Sequence, residues 1–322
     1  MDKIKFAFKY MPREASKEDN YFYNLLTENF NIELSEKPDF ILFSTFNKNN
    51  TKEIPIIKDK ATTIFWTGEN IRPDMNKCNY AFAFDYEEKI KNSNYMRIPL
   101  YSYFGAGKNL IKSKKFNANK ILKEKTKFCN YIYSKDAKER VEFYKELSKY
   151  KKINAPGRSM NNTSPITPAN LSLLLKPLQF AESFTKKYAV SSMISRHFSN
   201  WRKDIIEYQK QFKFTIAFEN SSYPGYTTEK IYHPMLANSI PLYWGNPEIK
   251  RDFNTKSFVN WHDYNDHKKV ADVVIDLDSN DKKYIKMLSE PWFNKNKPNK
   301  WCNNEKIIRQ FEKIFKTKRN KK

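Results

Sequence analysis

The stretch Phe214-Thr-Ile-Ala-Phe-Glu-Asn-Ser-Ser-Tyr-Pro-Gly-Tyr-Thr-Thr-Glu-Lys-Ile holds the richest run of groups that could do chemistry in this chain. A strand-like apolar run ends at Phe218, polar residues follow, and Gly225 permits a sharp turn. Thr227 can then cap a helix whose first turn holds Glu229 and Lys230. Free backbone N–H groups at a helix start favour an anion, and Lys230 adds a full positive charge beside them. That outlines a diphosphate site, although an ordinary capped helix with exposed charges has the same pattern. Arg140 is a second candidate. Phe143, Tyr144 and Leu147 share its face at helical spacing, and its side chain leans back toward the helix start. A guanidinium so placed forks onto phosphate oxygens, and a snorkelling surface arginine fits as well. Glu69, in Phe65-Trp66-Thr67-Gly68-Glu69-Asn70, directly follows another strand-like run. By itself it reads as a solvated loop residue.

Other chemistries lack their residues. With six glycines the chain carries neither GxGxxG nor GxxxxGK[ST], which argues against dinucleotide oxidoreductases and P-loop enzymes. His197, His233, His262 and His267 form no HExxH pair. Asp276, Asp278 and Asp281 lack the glycine and final glutamate of a calcium loop and read as a solvated helix end. Cys78, Cys129 and Cys302 are odd in number and far apart, so no disulfide framework or structural zinc site is expected.

The elements that must position these residues follow an α/β pattern. Strands are expected at 4–10, 39–44, 61–66, 80–85, 128–133, 214–218, 240–243 and 257–261. Helices are expected at 18–30, 135–149, 228–237, 267–276 and 305–315, with a polar loop over 161–174 and a bridge over 105–125. At 322 residues two domains are expected. An aromatic fraction of 16% argues for a folded chain. The net charge of +23 favours nucleic acid, acidic lipid or a phosphate-bearing substrate, while lysines spread over solvated faces give the same total. No apolar leader and no run of eighteen apolar residues is present, so the expected compartment is the cytosol.

Phe218-Glu219-Asn220, Tyr226-Thr227-Thr228-Glu229-Lys230-Ile231 and Ile240-Pro241-Leu242-Tyr243-Trp244-Gly245 together resemble the signature of glycosyltransferase family 10. These are the α-1,3/4-fucosyltransferases, and the bacterial members are most similar. Trp66–Asn70, Tyr95–Leu100 and Phe128–Gly157 follow the family pattern too. The resemblance implies a GT-B fold, two Rossmann-like α/β domains facing across a cleft. The acceptor domain would be 1–124. The GDP-fucose domain would be 125–322, with C-terminal helices and a basic tail. It makes Glu69 the general base, puts Arg140 and Lys230 on the diphosphate, and completes the donor site with Asn220, Tyr226 and Glu229. Arg158 receives no role. The implied reaction is an inverting transfer of L-fucose from GDP-β-L-fucose to an oligosaccharide hydroxyl, GlcNAc or Glc O3 of a lactosamine or lactose-type chain. No metal is expected, since protein cations can stabilise the leaving GDP. The membrane anchor of the animal enzymes and the heptad tail of some bacterial ones have no counterpart in the pattern. A weak membrane contact through Lys316, Lys318, Arg319, Lys321 and Lys322 fits the tail's charge. The alternatives are another GT-B enzyme using a different nucleotide sugar, or a nucleic-acid-binding protein. The latter needs stacking aromatics interleaved with basic residues on a strand face, and no segment has that pattern.

Overall fold

The computed structural model describes residues 3–12, 20–46, 53–168, 171–183, 190 and 200–319. Glu18, at the start of the expected first helix, and the tail residues Lys321 and Lys322 lie outside them, as do the side chains of Lys318 and Arg319. Two compact units emerge, and they do not follow chain order. Met1–Lys108, Tyr223–Thr228 and Pro298–Lys322 form the first, Asn109–Ser222 and Glu229–Lys297 the second. Each is built on a wholly parallel sheet, the α/β class that the GT-B resemblance implies.

The first sheet runs β2-β1-β3-β4-β5-β6, with β1 at Ile4–Lys9, β2 at Ile32–Leu34, β3 at Phe40–Phe43, β4 at Thr62–Trp66, β5 at Tyr80–Ala83 and β6 at Tyr95–Arg97. Its central strands are apolar at nearly every position because both faces are covered. Phe40, Leu42, Ile64, Trp66 and Phe82 enter one core, while Ile41, Phe43, Phe65, Ala81 and Ala83 enter the other. The first core is closed by helix Tyr21–Asn29, capped by the Asn20 side chain, and by the last helix of the chain, Asn304–Arg319. That last helix inserts Ile307, Phe311, Ile314 and Phe315, all buried. Their spacing announces an amphipathic helix, but not which sheet it covers, and the expectation that it belongs to the second domain does not hold.

The second sheet runs β11-β10-β9-β7-β8, with β7 at Lys127–Asn130, β8 at Ile153–Asn154, β9 at Phe212–Phe218, β10 at Ile240–Trp244 and β11 at Val259–Asn260. Helix Lys138–Ser148 turns Arg140, Phe143, Tyr144 and Leu147 inward, and Phe143 stacks on Phe218 with ring centroids 4.9 Å apart. Helices Trp201–Gln209 and Asp281–Ser289 and the short strands β2, β6 and β8 add to the expected elements. Helix Ser172–Ser183 begins inside the expected loop. Asp278 departs from the solvated role: its side chain is 4% exposed and pairs with Lys151 and Lys213. All three cysteines are free. Among the described residues, no helix is long and apolar enough to cross a membrane.

Candidate active site

The second sheet reverses its strand order between β7 and β9. In open parallel sheets, ligands collect outside the carboxyl ends of the strands at such a point. Tyr133 follows β7, and its hydroxyl accepts from the Phe218 N–H at 2.7 Å and donates to the Ile216 carbonyl at 2.8 Å. Burial pushes that hydroxyl well above its ordinary pKa against the pull of Arg140 and Lys230, so it stays neutral. Arg140 lies over the same ring, 4.2 Å from its centroid, and donates Nε–H to the Phe218 carbonyl at 3.1 Å. At 5% exposed it is a core side chain rather than a snorkelling one. Its Nη2 is buried and meets no hydrogen-bond partner among the described residues. A buried cationic donor in that state favours an anionic acceptor.

Lys230 is held differently. Its Nζ stands 3.5 Å from Glu219 and 3.2 Å from Glu229. Glu219 ends the apolar strand β9 and is fully buried. Gly245 makes room for it: a Cβ at that glycine would lie 2.4 Å from the Glu219 side chain. Helix Glu229–Leu236 begins one residue later than Thr227 would cap it, so Thr228 precedes its first residue. Burial works against the charge of Glu229, but Lys230, His233 and its own backbone N–H outweigh that and hold the carboxyl down to about 2. His233, one turn on, is pushed down to about 4, chiefly by burial. Tyr133, Thr215, Glu229, Lys230 and His233 line a cavity of about 100 Å³ together with Gln209, whose Oε1 is buried without a partner among the described residues.

The remaining expected residues lie elsewhere. Asn220 is exposed, its Oδ1 accepting from Ser221 at 3.0 Å. Tyr226 falls in the first unit, 2% exposed and edge-on to Phe84 at 5.0 Å. Glu69 is half-buried on a turn after β4, its N–H bonded to Thr67 Oγ1 at 3.0 Å. Arg158 is exposed. Sequence reasoning missed Tyr133, Glu219, His233 and Gln209. Only Glu219 left a signal, a charge closing a strand of seven mostly apolar residues. It missed a gathering of Glu139, Glu142 and His267 as well. There Trp261 donates to His267 Nδ1 at 2.9 Å, so Nε2 keeps its proton and donates toward Glu139 at 3.2 Å. A protonated nitrogen offers a metal no lone pair.

Comparison with known proteins bears on the family. The profile of the α-(1,3)-fucosyltransferase FucT N-terminal domain matches residues 6–104, and that of the C-terminal part of glycosyltransferase family 10 (fucosyltransferase) matches residues 122–319. The α-(1,3)-fucosyltransferase FucT of Helicobacter pylori is 29% identical over 279 residues, covering 85% of this chain and 56% of that one. A mimivirus chain named as a fucosyltransferase (Acanthamoeba polyphaga mimivirus) is 29% identical over 243 residues, covering 76% and 36%. The chain thus spans between about a third and somewhat over half the length of these relatives. A crystal structure of an α1,3-fucosyltransferase with GDP-fucose shares the fold, with a TM-score of 0.70 at 24% identity over 97% of this chain and 90% of that one. Two profiles in tandem, the second reaching from the strand before Arg140 to the final helix, leave one assignment: this chain belongs to glycosyltransferase family 10.

Proposed function

We propose that this chain transfers L-fucose from GDP-β-L-fucose to a hydroxyl of an oligosaccharide acceptor, with inversion, forming an α-linkage. The observation that carries the reading is Arg140, a buried cation with an unpartnered Nη2 at the switch point of the second sheet. A nucleoside diphosphate supplies the oxygens that such a donor favours. Lys230 is already balanced by two carboxylates, so Arg140 provides the larger uncompensated charge. Together they stabilise negative charge that grows on the departing GDP. Glu69, with Asn220, Tyr226 and Glu229 completing the donor contacts, takes the proton from the attacking hydroxyl. Base assistance of that kind contributes ~10²–10⁴-fold. The acceptor hydroxyl in this reading is O3 of GlcNAc or Glc in a lactosamine or lactose-type chain, and the 1,3 linkage in the name of the Helicobacter pylori relative supports the position.

Because protein cations serve the leaving group, no metal is needed, and turnover should persist in excess EDTA. Complete loss restored by manganese would overturn that part. A peripheral contact with an anionic membrane would have to be electrostatic, since the apolar face of Asn304–Arg319 lies in the first core. Sedimentation with anionic vesicles at low and high salt checks it. The deciding experiment for the function is a GDP-fucose transfer assay against lactose, N-acetyllactosamine and type 1 chains, with the linkage read by NMR. Absence of transfer to every acceptor, with no GDP binding by calorimetry, would sink the proposal.

A further inference from the structure

The turn Tyr223–Thr228 leads into the helix that carries Glu229 and Lys230, yet it packs with the first unit. Gly225 explains how closely. Its φ is +88°, and a Cβ there would stand 2.5 Å from the Phe84 carbonyl oxygen, so the backbone lies directly on the end of β5. Two arginines grip this turn. Arg97, at the end of β6, is 1% exposed. Its guanidinium lies over the adjoining rings of Tyr86 and Trp301, 4.3 and 4.1 Å from their centroids, which are themselves 5.4 Å apart. Nε donates to the Phe84 carbonyl at 2.7 Å and Nη2 to the Gly225 carbonyl at 2.9 Å. One rigid fork therefore ties the strand end and the turn together, held against the two rings. Arg72 grips from the outer side, 3.3 Å over the Tyr223 ring and ion-paired with buried Asp85 at 3.3 Å.

We infer that Arg97 is a positioning residue for donor binding: it holds the Gly225 carbonyl and so sets the turn that presents Tyr226 and leads to Glu229 and Lys230. It acts through the turn and touches no substrate. The inference rests on the donor-site reading above. A lysine keeps the charge but has a single point donor where the fork bonds two carbonyls at once. A methyl group on Gly225 meets the Phe84 carbonyl and strains the positive φ, so it displaces the turn by a different physical cause. Two unrelated lesions should therefore give one phenotype.

The test compares Arg97→Lys and Gly225→Ala with the parent for GDP affinity by calorimetry, for KM of GDP-fucose and of the acceptor, and for melting temperature. Both variants should weaken GDP binding and raise the donor KM at least tenfold, with the acceptor KM within about twofold. A merely structural role would lower the melting temperature and leave that donor–acceptor split absent. Folded variants that bind GDP within twofold of the parent would overturn the inference. Should either variant fail to fold, Tyr223→Phe, which keeps the ring beneath Arg72 and removes only the hydroxyl bonded to Asp85, decides in its place by the same split. If Arg140→Ala and Lys230→Ala lose GDP while the turn variants keep it, this inference alone falls. If all four keep GDP, the donor-site reading falls with it.

Discussion

Glu69 and Arg140 each sit beyond a parallel strand of their own sheet, but the chain treats them in opposite ways. Glu69 stands half-exposed on a turn, held through its backbone by Thr67 Oγ1 and by the Ile71 N–H. Arg140 is buried against the Tyr133 ring and bonded to the end of β9. Under the proposed roles, the group that would exchange a proton is the half-exposed one, and the group that would meet a fixed charge is built into the core. At the first position function and stability separate; at the second they are the same contacts.

Substitutions can break that contrast. The largest effect is expected at Glu69→Gln, which keeps size and removes basicity. Turnover should drop by ~10²-fold or more, with GDP affinity and melting temperature unchanged. Near-normal transfer with lost GDP binding would invert the roles of the two regions. Next comes Lys230→Ala, which removes the ammonium 3.5 Å from the buried Glu219 carboxylate and should cost stability of about 3 kcal/mol. Adding Glu219→Gln should recover part of the melting temperature but not the GDP affinity. Arg140→Ala should weaken GDP by about 1.5–3 kcal/mol and lower the melting temperature as well, whereas an Arg140→Ala protein as stable as the parent would break the comparison.

The smallest effect is a slope. His233 is held at about 4 against an ordinary 6.5, so the unfolded chain binds its proton more readily, and stability should decline as pH falls from 6.5 toward 4. Glu229, held at about 2 against 4.5, contributes fully above 4.5 and loses that contribution as pH falls toward 2. Denaturation curves of His233→Asn should lack the upper part of this decline and keep the lower.

What the sequence made legible follows from local pattern. Strands such as Phe40–Phe43 and Phe212–Phe218 read from their apolar runs, and Arg140 from its place on a helical stripe. The short edge strands Ile32–Leu34 and Ile153–Asn154 pair over two or three residues, too few for a period to register. Asp278 carries the look of a solvated helix end, and its covered side chain shows only in its pairing with the distant Lys151 and Lys213. Tyr226 belongs to a motif whose flanks lie in the second unit. Its place in the first depends on Arg97 and Phe84, more than a hundred residues away. Glu69 was visible as a residue, but nothing local separates it from a solvated loop glutamate.

The last helix has a consequence for how the molecule is made. The sheet over Ile4–Arg97 is complete in sequence before the second unit begins at Asn109. Its core still lacks Ile307, Phe311, Ile314 and Phe315, which are made only after the whole of the second unit. During synthesis the second unit, continuous from residue 109 to 297 apart from one turn, can close on itself while the first waits with an open apolar face. Pairings across such long sequence separations form slowly, and the waiting face is where a nascent chain of this kind needs a chaperone.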